Sequence, residues 1–220
     1  MYCIQKFPLQ MTGLEFFNSI RQYADQQLHI KMDTAQARME LYKGKFTTSP
    51  ESHSGEGIFF TSKMLAQFAL WSEDVMYSNR CDDEAKFVRS HLIAYYTKLN
   101  RIGTMVQMKL ENDTKRTARE VFDMFAPLGE GVVKTLIPMK EFCRQGEPVA
   151  RSQARRILSR LEEFKEVIFD FSEIDFMGQG FADEIFRVFQ NRHPDIVLTV
   201  NNANEEVAGM IQHVKSNGNH

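Results

Sequence analysis

Two short segments carry residue types and spacings that chemistry requires. The turn Ser54-Gly55-Glu56-Gly57 precedes Lys63, and paired glycines let backbone N–H groups approach a phosphate closely. Further along, Asp183 and Glu184 are adjacent carboxylates, a residue type that general acid–base catalysis uses. Short glycine motifs are also common in ordinary loops. Acidic residues in the first turn of a helix are stabilised by the helix dipole, so the sequence favours that role for both carboxylates over catalysis.

Basic side chains recur near both segments. One predicted helix carries Arg151, Arg155, Arg156 and Arg160, which could bind an acidic partner. Because Glu162 and Glu163 follow directly, the pattern is more typical of a solvated helix face whose charge is balanced locally. Lys43, Lys45 and Lys63, near the glycine turn, could contact phosphates, but they are more typical of solvated surface lysines.

The composition limits the classes of function. The 220 residues carry a formal net charge of −2, which does not favour non-specific binding to nucleic acid or membrane. Cys3, Cys81 and Cys143 are far apart and odd in number, which argues against a disulfide framework and fits a reducing compartment. No apolar run approaches the roughly 20 residues that span a bilayer, and the N-terminus lacks a signal-peptide pattern. We therefore expect a cytoplasmic protein without a metal site and without membrane or nucleic-acid contacts.

The C-terminal third alternates predicted strands and helices. The strands are Val132–Pro138, Val167–Phe171 and Ile196–Val200. A helix follows each strand, with apolar stripes that include Ile157, Phe186 and Ile211. His193-Pro194 ends the second helix. The order β-α-β-α-β-α predicts a parallel sheet with right-handed crossovers.

The N-terminal and middle parts follow a different pattern. Helices are predicted at Phe16–Gln27 and from the N-cap Asp33 to Tyr42, with Gln36 completing a variant capping box. Strands are predicted at Phe68–Ser78 and Thr104–Leu110, with Phe87–Tyr96 ambiguous, and they indicate an antiparallel meander. A linking helix at Thr117–Phe125 precedes a boundary near Pro127–Gly131, where Pro and Gly cluster.

The C-terminal block resembles the STAS-like domain of unknown function found in bacteria. The resemblance rests on Gly178–Phe189 (GQGFADEIFRVF), with Phe169–Ser172 before it and Asn201–Met210 after it. Its wider relatives are the anti-sigma-factor antagonists, so it implies regulation through a protein partner. The surface formed by Gly178, Gln179, Gly180 and Asp183 is the first candidate contact.

A second resemblance concerns the glycine turn. Lys43–Thr48 (KGKFTT) and His53–Lys63 (HSGEGIFFTSK) resemble the ATP lid of the GHKL ATPases, the superfamily of histidine kinases and anti-sigma-factor kinases. It implies an ATP lid made of Ser54, Gly55, Glu56, Gly57 and Lys63, and an adenine loop around Gly13. In related proteins the GHKL domain directly precedes the STAS-like domain. The two resemblances together imply a GHKL-like domain at 1–127 and a STAS-like domain at 128–220.

The departures from both families indicate a degenerate protein. Met11 occupies the position of the adenine-binding carboxylate, and the helix that holds magnesium would lie before residue 1. The loop Met177–Gly180 has no hydroxyl residue where related antagonists are phosphorylated, and Ser172 is interpreted as a turn residue. The expected fold is a shortened α+β GHKL-type sandwich with antiparallel strands, followed by an α/β STAS-like domain.

These observations favour a non-catalytic regulatory protein that needs no cofactor. It would bind an unidentified protein partner and is a possible homodimer. One alternative is an ATP- and magnesium-binding, kinase-like protein of the anti-sigma partner-switching type. Another is a transcription-linked regulatory module.

We predict that the chain does not bind or hydrolyse ATP at physiological concentrations. With Met11 in place of a carboxylate, an unsatisfied adenine donor costs about 1–3 kcal/mol, or about 5- to 150-fold in affinity. Calorimetric titration of ATP and magnesium tests this, and a Kd below about 100 μM would contradict it. If Met11→Asp also fails to bind, the shortened metal-binding part rather than Met11 is the deciding defect.

Overall fold

The computed structural model describes residues 16–52, 54–72, 75–79, 103–111, 113–127, 131–143 and 147–216. The chain divides into two compact units, Met1–Val121 and Phe122–His220. The predicted adenine loop with Met11 and Gly13, and the ambiguous strand Phe87–Tyr96, lie outside the described residues. The extents predicted for the two family domains, 1–127 and 128–220, stay predictions.

Three helices of the first unit have clear sequence causes. They are α1 (Phe16–Gln27), α2 (Thr34–Lys43) and α3 (Gly57–Met64). α1 buries Phe17, Ile20 and Ala24, one stripe at spacings of three and four. The predicted capping box of α2 is confirmed, because the Gln36 N–H donates to Asp33 Oδ1 and the Asp33 N–H donates to Gln36 Oε1, each at 2.8 Å. α3 was not predicted from the sequence.

The first unit also contains an antiparallel sheet. Its strands β1 (Gln67–Ser72), β2 (Val75–Ser78) and β3 (Thr104–Lys109) lie in the order β2-β1-β3. The prediction of one strand over Phe68–Ser78 was wrong, because Ser72 pairs with Val75 and the chain reverses between them. Glu73 and Asp74 separate the two strands, and acidic residues are disfavoured within strands. The antiparallel arrangement itself is confirmed for these three strands.

The second unit follows the predicted alternation. The linking helix α4 (Ala118–Phe125) includes the boundary between the two units at Val121, and it is followed by β4 (Lys134–Pro138) and a short helix α5 (Met139–Phe142). Next come α6 (Arg151–Leu158), a 3-10 turn (Leu161–Glu163) and β5 (Glu166–Asp170). The composite helix α7 has three consecutive parts, Gln179–Asp183, Glu184–Phe189 and Gln190–Arg192. β6 (Val197–Asn201) and α8 (Glu205–Ser216) complete the unit.

The three strands form a parallel sheet in the order β4-β5-β6. Both crossovers run in the same direction across the sheet, so right-handed connections place their helices on one face. The burial of β5 agrees with helices on one face of the sheet. Val167 and Phe169 of this central strand are fully buried, while Ile168, on the other face, is half-buried. The predicted parallel β-α-β-α-β-α unit is confirmed.

The core of this unit centres on an aromatic group under α7. The Phe186 ring lies 6.0 Å from the Phe169 ring and 6.5 Å from the Phe171 ring, between centroids. Lys215 Nζ lies 5.6 Å from the centre of the Phe186 ring. This packing joins α7 and α8 to the covered face of the sheet.

We predict that residues 118–220 fold alone. The fragment keeps α4, whose buried Phe125 accepts a hydrogen bond at 3.0 Å from the Val133 N–H just before β4, so it should be more stable than residues 130–220. Phe186→Ala should cost about 3–5 kcal/mol, whereas Val197→Ala, at a side chain 59% exposed, should cost less than about 0.5 kcal/mol. Thermal melts followed by circular dichroism test this, and a non-cooperative transition in the longer fragment would contradict it.

Candidate functional site

The candidate partner surface lies at the start of α7, a helix of mixed geometry. Its first part, Gln179–Asp183, is α-helical, and Glu184–Phe189 forms a π-helix. π-helical turns are rare and occur often at functional sites, because they alter the direction of the side chains that follow. Here the change in geometry falls between Asp183 and Glu184, and both carboxylates reach arginines of α6.

Gly178 holds the start of α7 against the segment before α6. Its N–H donates to Pro148 O at 2.9 Å. A Cβ at Gly178 would lie 2.6 Å from Val149 Cγ1 and 2.8 Å from Val149 Cα, so no larger residue fits without movement of the backbone. Gly180 differs, because a Cβ there would meet Arg151 Cγ at an ordinary 3.5 Å. Gly178 is therefore required for packing, whereas Gly180 is not.

Ion pairs fasten α7 to α6. Arg151 Nη2 lies 2.6 Å from Asp183 Oδ2 and Arg151 Nη1 lies 3.4 Å from Glu184 Oε2. Arg155 Nε lies 2.9 Å from Glu184 Oε1. Arg187, one turn after Asp183, donates from Nε and Nη2 to the two oxygens of the same carboxylate. Two carboxylates are thus held by three guanidinium groups.

In these ion pairs the negative carboxylates are buried, whereas the positive guanidinium groups of α6 are exposed. The side chains of Asp183 and Glu184 are 11% and 4% exposed, whereas those of Arg151 and Arg155 are 48% and 67% exposed. Hydrogen bonds from Arg187 and Arg151 lower the pKa of Asp183, and those from Arg155 and Arg151 lower the pKa of Glu184. Both acids therefore stay ionised near neutral pH, which does not suit a general acid, and the surface presents guanidinium groups.

This geometry corrects two interpretations of the sequence. Arg151 and Arg155 are not balanced by Glu162 and Glu163 but pair with acidic residues of α7; the expected pairing holds for Arg160, whose Nε lies 2.8 Å from Glu163 Oε1. Asp183 and Glu184 were predicted in the first turn of their helix. They lie beyond it, because α7 begins at Gln179. A signal for these ion pairs was present in the sequence. Arg151 and Arg155 have the i, i+4 spacing that places two side chains on one helix face, and so do Asp183 and Arg187.

In the first unit, other groups of the chain lie against the glycine turn. Gly55 adopts φ +77, and a Cβ there would lie 2.5 Å from Phe46 O, so glycine is required. Gly57 is the first residue of α3, and a Cβ there would meet nothing within 4 Å. Ser54 Oγ donates to Glu56 Oε2 at 3.1 Å, which places a carboxylate beside the start of α3. A negative group there competes with a bound phosphate.

The lysines around this turn contact other residues of the chain. Lys63 Nζ lies 5.3 Å from the centre of the Phe59 ring. Lys43, interpreted from the sequence as solvated, is buried and lies 2.8 Å from Glu40 Oε1. That interpretation was wrong because α2 buries every residue from Ala37 to Lys43, and a buried lysine requires a counter-charge.

Hydrogen bonds fix α3 against the antiparallel sheet. The buried Tyr77 hydroxyl donates to Ser62 Oγ, which donates to Phe59 O, each at 2.7 Å. Burial raises the pKa of Tyr77 well above its usual range. Asn79 Nδ2 donates to Ser62 O at 2.6 Å and to Leu65 O at 3.0 Å. The segment that resembles a lid therefore continues into a helix held at its C-terminal end.

Polar residues also gather at the carboxyl end of the parallel sheet, where open α/β sheets commonly bind ligands. Asp170 Oδ1 accepts from the Ser172 N–H at 3.0 Å, from Ser172 Oγ at 2.7 Å and from Asn202 Nδ2 at 2.9 Å. Asn204 joins the loop after β5 to α8, because it donates to Asp175 O at 2.9 Å and accepts from the Val207 N–H at 2.8 Å. These bonds support the interpretation of Ser172 as a turn residue.

The comparison with protein families concerns the unit that contains α7. Residues 153–208 match the model of the STAS-like domain of unknown function (DUF4325). The C-terminal region contains a STAS-like domain. The match includes Arg155, Gly178, Asp183 and Glu184, so the α6–α7 ion pairs and the Gly178 contact are mostly within the STAS-like domain. No curated protein and no solved structure matches the chain.

Two further findings concern the described residues alone. None of the helices in the described ranges is both long enough and apolar enough to cross a membrane. Within the same ranges, no three His, Cys, Asp or Glu residues are grouped in a way that could hold a metal ion.

We predict that Glu184→Gln destabilises the chain by about 1–2 kcal/mol at pH 7, because it removes the charge from hydrogen bonds to two guanidinium groups. The pKa of Glu184 is lowered by folding, so its contribution is complete above the ordinary value of 4.5 and is lost as the pH falls through the folded-state pKa. The difference between wild type and variant should therefore shrink below about pH 4.5.

Urea unfolding between pH 3 and pH 7 measures this difference. Glu163→Gln is the matched control, because the carboxylate that it alters is 37% exposed, and it should change stability by less than about 0.5 kcal/mol. Equal effects of the two substitutions at pH 7 would show that the α6–α7 ion pairs contribute no more than a surface pair.

Proposed function

We propose that this chain is a non-catalytic, cytoplasmic regulatory protein that acts by binding a protein partner through its STAS-like domain. The observation that carries the proposal is the surface at the start of α7, where Gln179, Arg151 and Arg155 are exposed over two buried carboxylates. The family match at residues 153–208 includes most of this surface.

The α7 surface is suited to recognition because it is already ordered. The close contact of Gly178 with Val149 and the ion pairs to α6 fix the first turns of α7 without a partner. A preordered surface loses less conformational entropy on binding. The side chain of Arg155 is 67% exposed although it pairs with Glu184, and its remaining N–H groups can form hydrogen bonds with a carboxylate of a partner. We therefore assign the partner an acidic contact surface.

Regulation would act through binding rather than through phosphorylation of the loop before α7. Met177–Gly180 contains no hydroxyl group that could accept a phosphoryl group. The nearest preceding hydroxyl, that of Ser172, donates to Asp170. The switch of the phosphorylated antagonists therefore has no equivalent acceptor at this loop.

The first unit would serve as a degenerate GHKL-like domain with no role for ATP or magnesium. Three observations support this proposal. Gly55 packs on the backbone of Phe46, the Glu56 carboxylate lies at the start of α3, and Lys43 is paired with Glu40. These groups do not fit a cradle for a triphosphate, which requires free backbone N–H groups and available positive charge.

Site-specific photo-crosslinking tests the proposed partner surface. A benzoylphenylalanine at Gln179, in the cells that produce the chain, should capture a discrete protein, whereas the same group at exposed Gln212 on α8 should not. With the captured protein purified, Arg155→Ala should weaken binding about tenfold, because hot-spot arginines typically contribute at least 1–2 kcal/mol.

The matched control is Arg192→Ala, which removes an exposed arginine from the other end of α7 and should leave the affinity unchanged. Circular dichroism of both variants verifies that they fold. The proposal is wrong if crosslinking at Gln179 and Gln212 captures the same proteins, or if the two arginine variants bind equally well.

A further inference from the structure

The outer edge of β6 carries backbone hydrogen-bonding groups that no strand in the described ranges uses. The Val197 N–H donates to Lys165 O at 2.8 Å, and Asn201 O accepts from the Phe171 N–H at 2.9 Å, so these residues direct their backbone groups towards β5. Because strand residues alternate in direction, Leu198 and Val200 direct their N–H and C=O groups away from the sheet. Within the described ranges no strand pairs with this edge.

Apolar side chains at the same edge are incompletely covered. Leu198 lies in register with Val167, and Val200 with Phe169. Both β5 residues are fully buried by the helices, yet Leu198 and Val200 are only half-buried. On the opposite face, Val197 is 59% exposed. The apolar rows of the sheet therefore extend to an edge that this unit leaves partly uncovered.

The edge also lacks the protection that isolated edge strands normally have. Natural edge strands carry charged residues, prolines or bulges that prevent pairing with another chain. The nine residues 196–204 contain no charged residue and no proline, although 25% of the chain is charged. A neutral, unprotected edge of this kind favours a neutral strand as its partner.

We propose that β6 pairs antiparallel with β6 of a second copy of this chain, about a two-fold axis at Thr199. This register places Leu198 opposite Val200 of the other copy and Val197 opposite its Asn201, so no charged groups oppose each other. The outward groups of Leu198 and Val200 then form four hydrogen bonds between the copies. Such self-complementarity is what a two-fold interface requires.

Backbone contacts at the start of the strand limit the length of the pairing. The Ile196 N–H donates to His193 O at 3.2 Å, and Ile196 O accepts from Gln190 Nε2 at 3.0 Å. At the other end Asn202 leaves the extended conformation, with φ +55. A pairing this short buries less area than a permanent dimer, so the association is weak, with a Kd of about 10–100 μM.

Disulfide trapping in the full chain tests the register directly. Residue 199 of one copy faces residue 199 of the other, with Cβ atoms about 4.5–5.5 Å apart, so Thr199→Cys should form a disulfide-linked dimer. Val197→Cys is the control. The two copies of residue 197 would be about 14 Å apart in this register, although Val197 is the more exposed side chain. Random collision would therefore form disulfides faster in Val197→Cys, whereas the proposed dimer would form them faster in Thr199→Cys.

Cys3 and Cys81 are replaced by serine in both variants; buried Cys143 is kept, because burial raises its thiol pKa to about 12. On non-reducing gels after mild oxidation at 50 μM, Thr199→Cys should dimerise at least about tenfold faster than Val197→Cys. Equal rates, or a faster rate for Val197→Cys, would overturn the proposal.

Sedimentation velocity between 5 and 200 μM provides a second test. The wild type should shift from monomer towards dimer, and Val200→Pro should weaken this association at least about tenfold because it removes an outward N–H. Val200→Thr keeps that N–H and should dimerise like the wild type. A wild type that stays monomeric at 200 μM, or a folded Val200→Pro that dimerises normally, would overturn the proposal. If Val200→Pro does not fold, the disulfide rates decide.

Discussion

The STAS-like domain depends on the burial of two carboxylates between α6 and α7. A buried charge without a partner is strongly destabilising, so Asp183 and Glu184 fix where the guanidinium groups of α6 must lie. This constraint acts together with the close contact of Gly178 and Val149, which leaves no room for a Cβ. The position of α7 is thereby determined at its start, and Gln179, Arg151 and Arg155, which lie over these buried groups, form the surface proposed to bind a partner.

The order of the strands has consequences beyond the core. Because β4, β5 and β6 are consecutive in sequence and in space, right-handed crossovers bring the helices to one face. The central strand β5 is then buried where it faces the helices, while β6 remains at the edge with Val197 exposed. The two interaction surfaces proposed for the domain are therefore of different kinds. One is charged and lies on α6 and α7, and the other is neutral and lies along β6.

In the first unit, the glycine turn makes structural contacts. The glycine turn resembles a nucleotide lid in sequence, yet Gly55 is used for contact with the backbone of Phe46. The following helix α3 is tied to the sheet by Ser62, Tyr77 and Asn79. A lid that wraps phosphates must be able to change its backbone conformation, whereas these hydrogen bonds favour one arrangement. The geometry supports a structural role for this segment.

Local signals in the sequence determined most of the helices and the parallel strands. α1 follows from its apolar spacing, α2 from the capping box of Asp33 and Gln36, and the end of α7 from His193-Pro194. These features depend on neighbours within four residues, so they are visible without a fold. The apolar runs around Phe169 and Val200 likewise predicted strands, but the expectation that both faces would be covered was wrong, because Val197 is 59% exposed and Ile168 is half-buried.

Only the tertiary structure decided which charges meet and which edges remain open. Arg155 and Glu184 are 29 residues apart, and their pairing depends on the placement of α6 beside α7. The sequence alone favoured the nearer acids, Glu162 and Glu163, since proximity along the chain was the available criterion. The burial of Lys43 was not predicted, because packing around α2 decides it. The division of Phe68–Ser78 into two strands was not predicted either, because a chain reversal decides it. The exposed edge of β6 likewise follows from its place in the sheet, because an edge strand and a central strand with the same apolar residues differ only in their neighbours.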